Sequence, residues 1–190
     1  MTIDYAARPP DTVRRKDRTV EDEAWIRAML HRVPFGALAT VHDGQPFINT
    51  NLFVFDEAAH VIYMHTAQVG RTRANVEADE RVCFSVSEMG RLLPADTALE
   101  FSVEYAGVVV FGRATIVADE AEARRALQLL LDKYFAHLRP GRDYRAITPE
   151  ELARTAVYRI SIEHWSGKKK EVGADFPGAF LYGDAPTLAR

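Results

Sequence analysis

The sequence predicts an α+β protein that is mainly β, with an antiparallel barrel of about six strands decorated by helices. Two apolar runs meet at Asp43-Gly44, a dipeptide that accepts positive φ and is typical of a tight hairpin. A long run over 101–117 carries two glycines, which fit the bends of a strand that curls into a barrel. With two hairpin-type connections and only three or four helices, this pattern favours a barrel over a parallel sheet.

The first half of the chain begins with a predicted arm, residues 1–20, which contains Pro9-Pro10 and shows no apolar periodicity. Helical spacing of apolar side chains then predicts a helix with one buried face, closed by Pro34. The elements expected in this half are a helix from about Thr19 to Val33, hairpin strands within 37–55, a strand over 60–65 and a helix over 69–78.

The second half is expected to complete a single domain over 21–172, followed by an irregular tail over 173–190 that is rich in Gly and Pro. The apolar face between Ala123 and Tyr134 predicts an amphipathic helix. The other expected elements are a strand over 81–87, a loop over 88–98, a strand over 101–117, a short helix opening at Thr148 and a strand over 157–162.

Composition narrows the class of protein. The chain has 190 residues, 47% of them apolar, and a formal net charge of −3, which argues against a nucleic-acid or membrane-surface partner. Two short basic segments, 14–18 and 168–170, are interpreted as solvated faces. The single cysteine, Cys83, cannot form an internal disulfide, so a reducing compartment fits and we expect a cytoplasmic protein.

Common catalytic and cofactor motifs are missing from the sequence. It contains no GxGxxG after a strand, no phosphate-binding GxxxxGK[ST], and no CxxC, HExxH or GxSxG. The six histidines form no helical i, i+4 pair, so no metal site is predicted and no catalytic residue is assigned. An enzyme with this sequence would therefore depend on a cofactor for its chemistry.

The segment from His65 to Arg73 is the best candidate for an anion site. Its hydroxyl, imidazole and guanidinium groups follow a strand and open a helix, where free N–H groups also favour an anion. We interpret it as a phosphate site, although a loop of Thr and Arg at a helix start also occurs without any ligand. The candidate residues in this segment are His65, Thr66, Arg71 and Thr72.

Two further groups of residues have both a structural and a functional interpretation. Asn49 and Asn51 alternate with aromatic residues on one strand face, which is either solvated or presented to a polar ligand or partner chain. Trp165, near Lys168, either stacks on a planar ligand ring or is a core residue at a strand end.

At this point the chain resembles the pyridoxamine 5′-phosphate oxidase-related, flavin-binding split-barrel family, and particularly its nitroimidazole-resistance branch. The similarity spans roughly residues 14–172, and its order and spacing are more specific than any single motif. It is carried by Arg14–Arg18, Gly36–Thr40, Pro46, Ile62–Ala67, Gly70-Arg71, Tyr105–Arg113 and Trp165–Lys168.

The resemblance implies a homodimer of six-stranded antiparallel split barrels, with FMN in a cleft between the subunits. By analogy, the side chains of His65, Thr66, Arg71 and Thr72 hold the FMN phosphate. The stretch Asn49, Thr50 and Asn51 runs along the isoalloxazine ring and the ribityl chain, and Trp165 and Lys168 approach from the other subunit.

Two departures from the family pattern limit what the resemblance implies. Thr72 stands where relatives often have a basic residue, so phosphate affinity would rest on Arg71 and Arg73. The Arg-x-His substrate motif of vitamin B6 oxidases is replaced after Trp165 by Lys168–Glu171, which argues against pyridoxamine phosphate oxidation.

The resulting hypothesis is an FMN-dependent oxidoreductase that passes electrons from a reduced nicotinamide, NAD(P)H, to a small acceptor such as a nitroaromatic compound. Two alternatives stay open. One is a non-catalytic protein that stores or senses flavin, and the other is a haem-binding barrel with axial histidine ligation.

Overall fold

One curled antiparallel sheet and four α-helices make up the computed structural model, which describes residue 4 and residues 6–184. The described elements are β1 (Thr19–Val20), α1 (Glu23–Arg32), β2 (Gly36–His42), β3 (Gln45–Asn51), β4 (Val54–Asp56), β5 (Val61–Ala67), α2 (Arg71–Ala78), β6 (Arg81–Leu93), β7 (Ser102–Ile116), α3 (Glu120–Tyr134), α4 (Pro149–Ala153) and β8 (Thr155–Lys170). The strands follow the order β3-β2-β6-β7-β8-β5-β4, and β1 pairs with β8.

The predicted hairpin is confirmed as β2–β3. Asp43 and Gly44 both have positive φ, 49° and 76°. Cross-strand partners share a face, so the register that pairs Leu38 with Asn49 sets two sides of the hairpin. Leu38 is fully buried, so its side of the sheet faces the core, while Ile48, on the opposite side, is 63% exposed.

The prediction of six strands is wrong by count, because the described chain forms eight. The expected strand over 45–55 breaks at Leu52-Phe53 into β3 and β4, which lie at opposite ends of the strand order. Asn51 Oδ1 accepts a bond from the Leu52 N–H (2.8 Å), and the Tyr134 hydroxyl accepts one from the Phe53 N–H (3.0 Å). These side chains satisfy backbone groups that a continuous strand would pair with a neighbouring strand. The strand can therefore end here, and β3 and β4 become the two edges of the open barrel.

Long-range pairing also lengthens strands beyond their predicted ends. β8 continues past Ile162 to Lys170 because β7 pairs with it from Ile116 to Tyr105, with Glu163 as the extra residue of a bulge. At this bulge, a Cβ on Gly112 would lie 2.0 Å from the Ser161 carbonyl oxygen, so only glycine fits. β6 likewise extends to Leu93, through part of the predicted loop.

The predicted arm and tail are partly attached to the sheet. Thr19 of the arm pairs with Lys168, and Phe180 of the tail forms a β-bridge with Leu92. The outer ends of both segments, residues 1–3, 5 and 185–190, lie outside the described residues.

Two apolar clusters lie on opposite sides of β5 and β8. The larger one fills the barrel and includes Met64 and Tyr158, while a smaller one lies beneath α3 and includes Tyr63 and Val157. Because successive strand residues point to opposite faces, β5 sends alternate side chains to each cluster. This alternation decides where the residues at the end of β5 point. In the described part of the chain, no helix is long and apolar enough to cross a membrane.

Candidate functional site

The start of α2 presents free backbone donors to an open space. β5 ends at Ala67, and the intrahelical bonds of α2 begin with Ala74 N–H to Gly70 O (3.1 Å). The N–H groups of residues 71–73 therefore have no acceptor within the helix, and no side chain caps its start. A Cβ on Gly70 would meet no atom within 4 Å, so this end has room for a ligand. Free N–H groups and the helix dipole favour an anion here.

Two threonine hydroxyls stand at the same end of the barrel, each positioned by a neighbour. The side chain of Thr72 is buried, and its Oγ1 accepts a bond from Asn49 Nδ2 (3.1 Å). Its hydroxyl proton therefore stays available to a ligand. Thr66 Oγ1 donates to the Ala67 carbonyl oxygen (2.9 Å) and lies 2.9 Å from the Tyr158 hydroxyl, on the barrel side of β5. Tyr158, which the sequence interpretation did not single out, thus orients a predicted site residue.

The two arginines of this segment differ in their partners. Arg73 donates to Gln68 and, through Nε, to Glu77 Oε1 at 2.8 Å. Arg71 is exposed and forms no ion pair or hydrogen bond with any described residue. Arg71 is therefore the cation that remains free for an anionic ligand, and Arg73 is engaged within its own helix and loop.

Two of the three asparagines near α2 attach this helix to the sheet, and the third joins β3 to β5. Asn49 bonds Thr72, as described above, and Asn51 Nδ2 donates to the His65 carbonyl oxygen (2.8 Å). Asn75, 1% exposed, donates to Thr40 Oγ1 on β2 (2.9 Å). The amides of Asn49 and Asn51 thus bond within the chain. The sequence reasoning missed Asn75, although its position three residues after Thr72 places both on one helix face.

His65 and Thr50 point away from this seat. The His65 side chain lies on the α3 side of β5, opposite to Thr66, and lines a cavity of about 330 Å³. The lining is mostly apolar and aromatic: Leu52, Leu127, Leu130, Leu131, Tyr134, Phe135, Tyr144 and Ile147. Burial lowers the pKa of His65 below its usual 6.5, so the imidazole is neutral at pH 7, and its buried Nδ1 has no described partner. Thr50 is exposed on the outer side of β3.

Trp165 and Lys168 lie far from α2 within one chain. The indole packs inside the barrel end, with its ring centroid 4.8 Å from that of His60 and the Arg27 guanidinium 5.0 Å away. Trp165 is nine residues along β8 from Ala156, which pairs with Thr66. At the usual rise per strand residue this is about 30 Å. Their predicted contact with a ligand held at α2 therefore requires a second copy of the chain and stays a prediction.

An uncharged patch covers part of one side of β2, β3, β6 and β7, and Arg81 and Arg113 lie at its edge on the same side. We define the outer sheet face by Ala37, Ala39, Val41, Ile48, Thr50, Cys83, Ser85, Val109 and Phe111. Each of these side chains is exposed or half-buried. The buried residues of α1 and α2 belong to the cluster inside the barrel, so these two helices bury their apolar side chains on the opposite side. Lys168 lies on the same side as this face, paired with Gly107 of β7.

The fold is shared with several solved structures. The flavocytochrome Anf3 from Azotobacter vinelandii is 25% identical, with a TM-score of 0.73 over 85% of this chain and 73% of that one. The FAD and heme binding protein from Mycobacterium smegmatis is 24% identical, with a TM-score of 0.71 over 82% and 74% of the two chains. A proposed 5-nitroimidazole antibiotic resistance protein from Bacteroides thetaiotaomicron is 16% identical, with a TM-score of 0.65 over 80% and 90%.

Sequence comparison places the chain in a family. No curated protein sequence matches it. Residues 22–169, which span α1 to the penultimate residue of β8, match the family model described as pyridoxamine 5′-phosphate oxidase. The antiparallel split-barrel fold predicted from the sequence is confirmed, because the chain shares its fold with the flavocytochrome structure described above. The chain belongs to the pyridoxamine 5′-phosphate oxidase family.

Proposed function

We propose that this protein binds FMN, with the phosphate at the start of α2, and acts as an oxidoreductase. The observation that carries the proposal is one open end of the barrel, where the backbone donors of α2 meet the Thr66 and Thr72 hydroxyls and the free guanidinium of Arg71. The backbone N–H groups, the Thr72 hydroxyl and the Arg71 guanidinium can all donate to the oxygens of a phosphate monoester, and the helix dipole and Arg71 add positive charge. The flavin, when bound, supplies hydride and electron transfer, and the protein supplies binding and orientation.

The similarity to the flavocytochrome, at 25% identity, supports a flavin as the cofactor class. A terminal phosphate is the part of FMN that the α2 seat fits. Asn49 and Asn51 act on that seat indirectly, by holding Thr72 and the end of β5 in place. In this assignment His65 does not bind the phosphate through its imidazole, because that ring points to the other side of β5.

The cleft proposed for the flavin ring requires a homodimer, and the outer sheet face supports one. Its nine residues carry no charge, and they include Ile48 at 63% exposure and Val41 at 41%. The two arginines at its edge, Arg81 and Arg113, both form ion pairs with carboxylates. Uncharged, partly apolar surfaces of this kind are typical of the central parts of subunit interfaces. Lys168 borders this face. In a dimer formed through the face, Lys168 of each copy would therefore lie close to the cleft between the two copies.

The proposed reaction takes electrons from a reduced nicotinamide and passes them to a small acceptor such as a nitroaromatic compound. Replacement of the Arg-x-His motif by Lys168–Glu171 argues against a vitamin B6 substrate. No side chain is assigned as acid or base. A non-catalytic flavin carrier would have the same seat but would not exchange electrons with nicotinamides.

Replacing Arg71 with alanine tests the phosphate assignment. We expect the Arg71→Ala variant to lose most of its bound flavin, with FMN affinity reduced about tenfold or more, because a charge-assisted bond to the phosphate is removed. Flavin absorbance per mole of purified protein and an FMN titration measure this loss. The matched control is Arg81→Ala, just beyond the other end of α2, where the arginine pairs with Asp79 at 2.6 Å. Equal flavin content in the two variants would contradict the assignment.

Reduction of the bound flavin separates the enzyme from the carrier. We expect the yellow protein to bleach under NADPH without oxygen and to recover its colour when a nitroaromatic compound is added. Stopped-flow absorbance measures both phases. A preparation that stays yellow with every nicotinamide would exclude the oxidoreductase and favour the carrier.

A charge placed on the outer sheet face tests the dimer. We expect the wild-type protein to have twice the 21.3 kDa mass of the chain and Ile48→Glu to be monomeric and poor in flavin, because burying an unpaired carboxylate in an interface is costly. Light scattering after size exclusion measures the mass. The control is Leu99→Glu, at a site that is 95% exposed and away from the face. A monomeric wild-type protein, or an Ile48→Glu dimer, would refute this interface.

The cavity beneath α3 favours a second candidate function, haem binding. The His65 imidazole is neutral and half-buried, and its buried Nδ1 has no described protein partner. Histidine is a common axial ligand of haem, and the apolar lining suits a porphyrin. Arg145 at the exposed rim, paired with Glu151 at 2.7 Å, offers a cation for propionate groups. The similarity to a flavocytochrome points to the same pairing of a flavin with a haem.

Haemin titration tests this candidate. We expect added haemin to give a Soret band with a histidine-ligated spectrum, and His65→Ala to abolish that spectrum because the axial nitrogen is lost. His137→Ala, at an exposed histidine, is the control. If both variants bind haemin like the wild type, His65 is not the ligand and the haem candidate fails.

A further inference from the structure

Two basic segments that are 150 residues apart in sequence are neighbours in the fold. β1 pairs with the end of β8 through Thr19 with Lys168 and Val20 with Gly167. This pairing brings residues 14–18 beside residues 168–170. Each segment is short and unremarkable in sequence, but together they form one surface, which we call the basic groove. Its cations are Arg14, Arg15, Lys16, Arg18, Lys168, Lys169 and Lys170.

The basic groove keeps a large excess of positive charge. Within the two segments, and the residue that follows each of them, the only carboxylates are Asp17 and Glu171. Asp17 pairs with Arg15 at 2.6 Å, and Glu171 lies 3.5 Å from Lys169. Arg14 and Lys16 form no ion pair with any described residue. The two segments and Glu171 together carry seven cations and two carboxylates, in a chain whose formal net charge is −3. The surface therefore attracts an anion even though the protein as a whole repels one.

The groove is concave. A cavity of about 570 Å³ is lined by Arg15, Arg18, Lys169 and Lys170, together with the two carboxylates. A second cavity, of about 730 Å³, shares Lys169, Lys170 and Glu171 and continues past the rings of Tyr105 and Trp25. Its other charged residues form two ion pairs, Arg32 with Glu88 and Arg91 with Glu104. The combined space therefore keeps a net positive charge, with six cations and four carboxylates in its lining, and it adds aromatic surfaces to them. This arrangement fits a ligand with both a phosphate and a planar ring.

We propose that the basic groove binds the 2′-phosphate of NADPH, so that NADPH and not NADH is the electron donor. This inference rests on the proposed oxidoreductase function and names its donor. The 2′-phosphate is the only group that distinguishes the two nucleotides, and arginine forks and lysines are the side chains that recognise such a group. Lys168, one of the cations of the groove, also borders the outer sheet face. The groove therefore lies beside the proposed flavin cleft.

The protonation of Tyr105 is consistent with this charge. Although burial alone would raise the pKa of this phenol, hydrogen bonds and charge from Arg18 and Lys168 lower it overall. Arg18 donates to the Tyr105 hydroxyl at 3.3 Å, and Lys168 Nζ lies 5.6 Å from the ring centroid. The positive field of the groove thus reaches the aromatic end of the second cavity.

A charge reversal at Lys169 in the flavin-loaded, full-length protein tests the proposal. We expect the wild type to use NADPH with a KM about tenfold or more below that for NADH, because a charge-assisted contact is made only by the 2′-phosphate. Lys169→Glu is expected to raise the KM for NADPH by about the same factor and to change the KM for NADH much less. Arg142→Glu reverses an exposed charge outside the groove and is expected to leave both constants unchanged.

A second measurement does not depend on turnover. Calorimetry is expected to show that 2′,5′-ADP binds the wild type more tightly than 5′-ADP, and that Lys169→Glu removes the difference. Equal KM values for the two nucleotides, an unchanged ratio in Lys169→Glu, or equal binding of the two ADP isomers would each overturn the proposal. If neither nucleotide reduces a flavin that stays bound, the donor assignment is overturned while the flavin seat survives. Loss of flavin from the wild-type protein would instead refute the seat.

Discussion

The attachment of α2 to the hairpin is the constraint on which the candidate site depends. Asn75 on α2 donates an amide hydrogen bond to Thr40 on β2. In the other direction, Asn49 on β3 donates one to Thr72 on α2. Amides that are buried in this way are costly to leave unpaired, so the helix has one favourable position. That position directs the free N–H groups of residues 71–73 into the open end of the barrel. Without it, Arg71 and the two threonine hydroxyls would not converge on a common ligand.

The strand before this helix separates two kinds of chemistry. Thr66 points to the barrel side and His65 to the α3 side, because adjacent residues of a strand face opposite ways. The barrel side is polar and cationic at this end, and it suits a phosphate. The α3 side is apolar, and it keeps an imidazole neutral and unpaired. The two sides of β5 therefore offer different chemistry without sharing side chains.

Charge is unevenly distributed over the rest of the molecule. The nine residues of the outer sheet face are uncharged, while the basic groove at its border concentrates cations from residues 14–18 and 168–170. An uncharged surface favours association with a second copy, and a cationic one favours a phosphorylated ligand. Because they lie side by side, the proposed dimer would place the proposed electron donor near the proposed flavin cleft.

The sequence by itself determined the elements whose signals are local. The hairpin at Asp43-Gly44, the helix before Pro34, the amphipathic α3 and the helix α2 follow from turn chemistry and apolar spacing, and the structure contains all four. The predicted starts of two helices are too early: α1 begins at Glu23, with Thr19 in β1, and α2 begins at Arg71 and not at residue 69. The ordered motifs also identified the family. Only the tertiary structure decided the features that depend on distant partners. They are the split at Leu52-Phe53, the full length of β8, the bonding of Asn49 and Asn51, the direction of His65 and the meeting of the two basic segments. Strand pairing and side-chain direction depend on residues far away in sequence, and no local pattern contains that information.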